Sequence, residues 1–186
     1  MKNTKIAASR IVMLSGSPGT GKSTISQMLA TNAASDKSVH IEVDDFWQSI
    51  CKGYIHPWLD DSGNQNETVV EAVVASVKSF SAGGYEVFVA GTIGPWFLEP
   101  WMEIAKTGID VRYIVLRPDQ ETTIKRATHR PQREFFPLNT DAVKNVWDSF
   151  TNLGRYEAHV LDTTGQSASE SVAIVNAMLL EHKFRL

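Results

Sequence analysis

The chain has 186 residues, of which 42% are hydrophobic and 21% are charged. These proportions are typical of one folded domain spanning residues 1–186, and they exclude an intrinsically disordered chain. A formal net charge of −3 argues against general attraction to nucleic acid or to an anionic membrane. The single cysteine, Cys51, excludes an internal disulfide, and no apolar run has the length of a membrane span. A cytoplasmic protein is therefore expected.

The most informative stretch matches the phosphate-binding pattern G-x-x-x-x-G-K-[ST] in full and consists of Gly16, Ser17, Pro18, Gly19, Thr20, Gly21, Lys22, Ser23 and Thr24. The glycines allow backbone N–H groups to turn towards a phosphate, which a Cβ atom would obstruct. Lys22 is predicted to contact the β- and γ-phosphates, and the Ser23 hydroxyl to ligate Mg²⁺. An apolar strand precedes the loop and a helix follows it, so we expect the chain to bind a nucleoside triphosphate.

Strands and helices alternate along the rest of the sequence. Apolar or alternating runs predict strands at 11–14, 39–43, 87–90, 111–116 and 158–162. Helices are predicted after the phosphate loop, at about 46–51, 67–80 and 101–106, from Pro118 onward, and at about 139–153 and 169–180. This order indicates an α/β fold with a parallel sheet and helices on both faces. Ligands of such sheets bind at the carboxyl ends of the strands.

A long, largely irregular excursion at about 46–66 follows the second strand, and loops of this length are usually functional when they are ordered. Its tryptophans and those after the third strand offer flat surfaces for a sugar, base or drug ring. Trp101 and Trp147 are instead assigned to ordinary core packing. The residues predicted to bind the phosphate acceptor are Asp45, Trp47, Trp58, Thr92 and Trp96.

Two adjacent carboxylates, Asp44 and Asp45, end the second predicted strand. A carboxylate beside an alcohol can orient it and take its proton. The pattern Asp45-x-x-Gln48 has the form of a capping box, which predicts that Asp45 caps a helix starting at Phe46. Asp44 is then the better candidate for the base, and it is also a candidate Mg²⁺ ligand.

Positive charge for the transferring phosphoryl group is predicted to come from a segment at about 126–140. Arg126 and Arg130 lie four residues apart, which places them on one helical face. The polar run that follows them has the character of a loop that closes over the triphosphate. Arg126 and Arg130 are therefore predicted to be catalytic, and a solvated surface cluster is the alternative.

These features together resemble a known family. The loop at 16–24, the carboxylates 44–45, the arginines and the turn at 162–165 are similar to small P-loop kinases of the nucleoside-monophosphate-kinase-like group. Within it the chain looks like the AAA_33 type, whose relatives include gluconate kinase and chloramphenicol phosphotransferase. The stretches 43–47, 55–59 and 113–117 look closest to bacterial proteins labelled cytidylate kinase.

The resemblance implies a P-loop NTPase three-layer sandwich with a five-stranded parallel sheet in the order 2-3-1-4-5. It also implies that adenine is held near 163–165, with Thr164 as a contact, and that a lid contains Arg130. One position departs from the family pattern, because relatives often carry an aspartate where this chain has Ala90. Handling of Mg²⁺ is then expected to rest on Ser23 and on Asp44 or Asp45.

The sequence thus predicts an ATP- and Mg²⁺-dependent phosphotransferase that acts on a hydroxyl of a small molecule. The alternatives are a nucleoside or nucleotide kinase, and a nucleotide-binding regulatory protein with slow hydrolysis. A phosphorylated acceptor is disfavoured because Lys52 and His56 are the only basic residues in 44–66. No nucleic-acid or membrane partner is expected, and the protein is expected to be a monomer or a homodimer.

Overall fold

A computed structural model describes residues 10–129 and 139–186. Five strands and seven helices lie in these ranges, and their order along the chain is β1 (Arg10–Ser15), α1 (Lys22–Thr31), β2 (Ser38–Glu42), α2 (Val43–Gln48), α3 (Gly63–Ala82), β3 (Glu86–Ala90), α4 (Glu99–Lys106), β4 (Asp110–Leu116), α5 (Gln120–Thr128), α6 (Thr140–Ser149), β5 (Val160–Leu161) and α7 (Ala168–Leu180). Short 3₁₀ turns occupy Asp60–Ser62, Pro95–Phe97 and Gly154–His159.

The five strands form one parallel sheet in the order β2-β3-β1-β4-β5. β1 lies at the centre because its continuous apolar run suits a strand that is covered on both faces. In register, Leu14 of β1 lies beside Ala90 of β3 and Ile114 of β4. The predicted P-loop NTPase fold and strand order are therefore confirmed.

Helices cover both faces of the sheet, which gives the predicted three layers. On one face, Met13 and Val89 pack with Val73 of α3 and Trp101 of α4. On the other face, a second apolar cluster joins the sheet to α1 and α7 through Val12, Leu14, Ile25, Leu29, Val175 and Leu179. Within the described ranges, none of the helices combines the length and apolar character that crossing a bilayer requires.

The prediction for the boundary between β2 and α2 was wrong. β2 ends at Glu42, and α2 begins at Val43 rather than at Phe46. Glu42 occupies the N-cap position, and its side chain makes no capping hydrogen bond, so Asp45 does not form the predicted capping box. Asp44 and Asp45 instead both lie in the first turn, where negative charge is favourable because the helix dipole is positive there.

Three helix ends also differ from the sequence predictions. Pro118 precedes α5 instead of occupying its first turn, because the Asp119 carboxylate caps the helix by accepting the Thr122 N–H at 2.6 Å. α3 begins at Gly63, which shortens the irregular excursion. α6 has the predicted cap, Asn139, but ends at Ser149 rather than near 153. β5 has two residues, because a 3₁₀ turn takes up the residues before it.

Candidate active site

The phosphate loop connects β1 to α1 through three glycines with positive φ. Gly16, Gly19 and Gly21 have φ angles of 138°, 92° and 90°. A Cβ atom on Gly16 would lie 2.4 Å from the carbonyl oxygen of Leu116, and one on Gly19 would lie 2.3 Å from that of Thr123. These positions therefore require glycine both for backbone conformation and for close approach.

Hydrogen bonds inside the loop centre on the carbonyl oxygen of Ser17. It accepts from the Thr20 hydroxyl at 3.0 Å and from the Lys22 Nζ atom at 3.4 Å. Lys22 is only 7% exposed, although it carries a charge. The buried Ser17 hydroxyl oxygen has no hydrogen-bond partner among the described residues. The loop thus presents a cradle with a buried ammonium group and an unpartnered hydroxyl, which fits a bound phosphate.

A cavity of about 770 Å³ opens beside this loop. Its wall on the loop side consists of Pro18, Lys22 and Ser23, whereas Thr24 is exposed and does not line it. Residues from α2, α3, α6 and the connection after β3 complete the wall. The volume lies in the range of cavities that hold small ligands, so the phosphate loop and an acceptor can meet in one space.

The two neighbouring carboxylates face different surroundings. Asp44 is half-buried and lines the cavity, while Asp45 is exposed and does not. Burial raises the pKa of the Tyr54 hydroxyl, and the negative charge of Asp44 raises it further. Of the two predicted candidates, Asp44 is therefore the one that the structure places with Lys22 and Ser23.

All three tryptophans predicted to contact the acceptor line the cavity, as does Thr92. Trp47 is 9% exposed, but Trp58 and Trp96 are 61% and 55% exposed. Trp101, which was assigned to the core, is indeed buried, and it also contributes to the cavity wall. Trp147 is only half-buried and donates a hydrogen bond to the carbonyl oxygen of Pro118 at 2.9 Å.

Two polar residues on α3, which the sequence reading missed, hold the excursion against the site. Gln65 accepts from the Ile55 N–H at 2.7 Å and donates to the Ile55 carbonyl oxygen at 2.6 Å. Asn66 accepts from the Trp47 indole N–H and donates to the Pro57 carbonyl oxygen. A Gln or Asn side chain can accept from a backbone N–H and donate to a backbone carbonyl oxygen at the same time. The adjacent amides Gln65 and Asn66 were therefore the sequence signal for this anchoring role.

A buried hydrogen-bonded group fixes the connection after β3. The Ser15 hydroxyl donates to the Ile93 carbonyl oxygen at 2.7 Å and accepts from the Ile93 N–H at 3.0 Å. The Tyr113 hydroxyl donates to the same carbonyl at 2.7 Å, and burial raises the pKa of this hydroxyl. Thr92 donates to the Gly16 carbonyl oxygen at 3.3 Å, which ties the connection to the phosphate loop.

Arg126 lines a second cleft and does not line the cavity, although the next residue, Ala127, does. Its guanidinium donates to the Gln166 carbonyl oxygen at 3.0 Å, and the cleft also contains Lys125 and Gly165. Thr164 is next to this cleft in sequence and accepts a hydrogen bond from the Asp119 N–H at 2.7 Å. Hydrogen bonds from Thr164 also lower the pKa of Asp162. The structure therefore groups Arg126 with the turn at 162–167 rather than with Asp44.

The donors available for Mg²⁺ are oxygen atoms, which this ion prefers. The Ser23 hydroxyl and the Asp44 carboxylate both line the cavity. Ala90 is fully buried, and its register partner on β2 is Glu42, one carboxylate oxygen of which is buried. No group of three His, Cys, Asp or Glu residues in the described ranges could hold a metal alone. These donors therefore fit an ion that arrives with a triphosphate.

Arg130 and most of the predicted lid at 126–140 lie outside the described residues. Their roles remain predictions. The described residues of that segment are 126–129 and 139–140. Asn139, the N-cap of α6, lines the cavity, and so does Asp141 in the first turn of α6.

A family model, AAA_18, described as an AAA domain, matches residues 12–136. It differs from the AAA_33 type that the sequence resembled, and the narrower likeness to cytidylate kinase is not confirmed. No curated protein sequence is significantly similar to the chain.

Several solved structures share the fold. The tunicamycin resistance protein of Deinococcus radiodurans superposes with a TM-score of 0.66 at 16% identity, covering 92% of this chain and 95% of its own. Shikimate kinase from Acinetobacter baumannii gives 0.61 at 20% identity, with 94% and 95% covered. A gluconokinase from Sinorhizobium meliloti 1021 gives 0.60 at 16% identity, with 95% and 98% covered.

Proposed function

Because the chain belongs to the AAA domain family AAA_18, we propose that it is an ATP- and Mg²⁺-dependent phosphotransferase that moves the γ-phosphate to a hydroxyl of a small molecule. One observation carries this proposal: Lys22 and Ser23 of the phosphate loop line the same cavity as the Asp44 carboxylate. A phosphate site and a proton acceptor thus border one space that is large enough for a second substrate.

Each step of the proposed phosphoryl transfer is assigned to particular residues of this chain. The loop backbone and Lys22 hold the β- and γ-phosphates and offset the charge that develops during transfer. Asp44 orients the acceptor hydroxyl and takes its proton. Ser23 and Asp44 would hold Mg²⁺, which would neutralise phosphate charge, and Glu42 lies two residues before Asp44 at the end of β2.

The nucleotide base is proposed to lie in the second cleft. Arg126 and Gly165 border that cleft, and Thr164 adjoins it. Because Arg126 lines this cleft and not the cavity, we assign it to the base instead of the transferring phosphate, its predicted contact. Arg130 keeps its predicted catalytic role over the triphosphate.

A nucleotide-binding regulatory protein with slow hydrolysis is the second candidate, and the absence of a carboxylate at Ala90 favours it. The names of two structural neighbours, shikimate kinase and gluconokinase, instead favour transfer to an acceptor. A built cavity beside Asp44 supports the same choice, since slow hydrolysis needs no second substrate pocket.

The deciding experiment measures ATP binding and phosphoryl transfer separately. Calorimetry with Lys22→Ala should show loss of most ATP affinity, because a buried charge contact to phosphate contributes about 2–3 kcal/mol. Lys78→Ala, which changes an exposed lysine on α3, is the matched control. Unchanged affinity in a folded Lys22→Ala variant would refute the phosphate-loop assignment.

Transfer is then tested with γ-labelled ATP and a panel of hydroxylated metabolites, nucleosides and antibiotics. At least one acceptor should become labelled and should raise ATP consumption above the background. Slow ATP hydrolysis that no member stimulates would favour the regulatory protein.

A further inference from the structure

We infer that the acceptor is a planar, aromatic alcohol, and that the described part of the cavity selects an uncharged or positively charged one over an anion. The inference rests on the proposed function and adds the chemical class of its substrate. Three separate observations support it: the aromatic surface of the cavity wall, the rigidity of that wall and the charges around it.

The cavity wall contains five aromatic side chains. Trp47, Trp58, Trp96, Phe97 and Trp101 all line the cavity. Trp58 and Trp96 line the cavity and are also the most solvent-exposed of these tryptophans, at 61% and 55%. Exposed apolar surface of this kind in a concave site usually marks ligand contact. Flat indole faces favour a planar ring as the ligand.

The aromatic wall is also held in place before any ligand arrives. Trp58 stacks on His56, with ring centroids 4.7 Å apart and planes inclined by 17°. Asn66 and Gln65 anchor the neighbouring residues Pro57 and Ile55 through their backbone atoms. Trp96 packs edge-on against Phe150 at 5.7 Å. A wall supported in this way loses little conformational freedom on binding, which favours affinity for a rigid ring.

The charges around the cavity are unsuited to an anion. Two carboxylates, Asp44 and Asp141, line it. Among the lining residues in the described ranges, Lys22 is the single basic one, and the phosphates of ATP occupy its charge. With Asp44 engaged by Mg²⁺ and the acceptor hydroxyl, a carboxylate or phosphate on the acceptor would still face Asp141 and the phosphates of ATP, whereas an ammonium group would be attracted by Asp141 and by several indole rings.

Beside Asp141, α6 supplies the wall with small and uncharged side chains. Ala142, Val146 and Ser149 recur at helical spacing and line the cavity, together with the amide of Asn145. The Asn145 and Ser149 side chains offer hydrogen bonds without charge. They suit the polar substituents of a neutral aromatic molecule.

The chemical step balances with ATP as the co-substrate. The acceptor oxygen forms a bond to the γ-phosphorus, and the bond from that phosphorus to the β–γ bridging oxygen breaks. ADP leaves with the electron pair, and the hydroxyl proton passes to the Asp44 carboxylate and then to solvent.

The test uses three acceptors on one scaffold that carry a neutral, a positive or a negative substituent, and the neutral and negative ones have the same shape. A 6-(hydroxymethyl)naphthalene core carries at position 2 a carboxamide, an aminomethyl group or a carboxylate. Dissociation constants for the full-length protein with ADP and Mg²⁺ are measured by ligand-detected NMR, and phosphorylated product by mass spectrometry with ATP. The amide and the amine should bind at least about 10-fold more tightly than the carboxylate, because a like charge costs a factor of this size or more.

Two variants locate the effect. Trp58→Ala should weaken binding of all three compounds by about 10-fold, since stacking on an aromatic ring is lost. Phe80→Ala, which removes an exposed ring that packs on Tyr85 outside the cavity, is the matched control. Asp141→Asn should strengthen carboxylate binding several-fold and leave amide binding unchanged.

The outcomes separate this inference from the proposed function. Equal or tighter binding of the carboxylate in the wild-type protein overturns the inference, and so does unchanged binding in Trp58→Ala. If the carboxylate is preferred and phosphorylated, the phosphotransferase stands and the acceptor class is wrong. If the amide and amine bind selectively but no product forms from any panel member, the acceptor class stands and the proposed activity fails.

Discussion

The indole nitrogen of Trp47 donates a hydrogen bond to the Oδ1 atom of Asn66 at 3.1 Å. This bond joins α2, which carries Asp44, to α3, and the Asn66 amide continues to the Pro57 carbonyl oxygen at 2.8 Å. One buried side chain therefore connects the candidate base to the aromatic wall.

Replacing Asn66 should cost stability. Asn66→Leu leaves the buried Trp47 N–H without its partner, which costs about 1–3 kcal/mol, whereas the Pro57 carbonyl oxygen keeps the hydrogen bond from the Ser62 hydroxyl. Urea unfolding should show the destabilisation, and acceptor affinity should fall with it. Asn64→Leu, at an exposed position two residues earlier in α3, is the control. Equal unfolding free energies for the two variants would contradict the role given to Asn66.

The two carboxylates in the first turn of α2 should separate by function. Asp44→Asn keeps the shape but removes the base, so turnover should fall by about 10²–10⁴-fold while ATP still binds. Asp45→Asn removes a similar charge from the same turn and should leave turnover within a few-fold of normal. The comparison is made on one acceptor at saturating Mg²⁺. An inactive Asp45→Asn beside a near-normal Asp44→Asn would reverse the assignment.

Two glycine substitutions, one in the phosphate loop and one outside it, separate the cost of steric crowding from the cost of backbone strain. Gly53 has a φ of 75° and no described atom near an added Cβ, so Gly53→Ala should cost about 1–2 kcal/mol from backbone strain alone. Gly19→Ala adds overlap with the Thr123 carbonyl and the Ala127 side chain, which should cost a further 1–3 kcal/mol or so.

Chemical unfolding and ATP calorimetry measure both effects. Gly19→Ala should also lose ATP affinity, and Gly53→Ala should keep it. Similar stability and affinity in the two variants would show that the close approach at Gly19 is unimportant.

Stability should depend on pH through His40 on β2. Burial lowers the pKa of this imidazole below its ordinary 6.5, and the charge of Asp45 partly opposes the shift. The unfolded chain then binds the proton more readily, so the stabilisation is present above pH 6.5 and is lost as the pH falls below it. Unfolding free energies between pH 8 and pH 5 should therefore decline.

Two substitutions test the source of that decline. His40→Phe should flatten the curve, because the titrating group is gone. Asp45→Asn should steepen it, because the attraction that favours protonated His40 is removed. Carboxylates with lowered pKa, such as Asp162, titrate at more acidic pH and contribute outside this window. Parallel curves for the wild type and His40→Phe would contradict the assignment.

The features that sequence predicted well are those encoded locally. The phosphate loop, the apolar strands and the strand order follow from glycine positions, hydrophobic runs and the family resemblance. Asp44 was chosen over Asp45, and its position in the cavity agrees with that choice, but the reason given was wrong because α2 begins before both residues. A capping motif and a first-turn acidic pair have the same sequence appearance.

The features that sequence missed depend on contacts between distant segments. Helical spacing predicts which side of the helix carries Arg126, but it does not predict that the Gln166 carbonyl oxygen accepts a hydrogen bond from it. In the same way, Asn66 resembles any polar residue near a helix start, and its importance appears only when Trp47 and Pro57 are beside it. Charged and amide side chains acquire their roles from partners that are distant in sequence, 19 residues away in the pair 47–66 and 40 residues away in the pair 126–166.

The close contacts at Gly16 and Gly19 determine when the phosphate loop can fold during synthesis on the ribosome. The first strand to emerge, β1, pairs with β3 and β4, which are synthesised much later. The phosphate loop itself is shaped against the Leu116 carbonyl and against Thr123 and Ala127 of α5. A nascent chain that ends before Ala127 lacks those surfaces, because synthesis proceeds from the N-terminus. The nucleotide-binding loop is thus made well before the segments against which it acquires its shape.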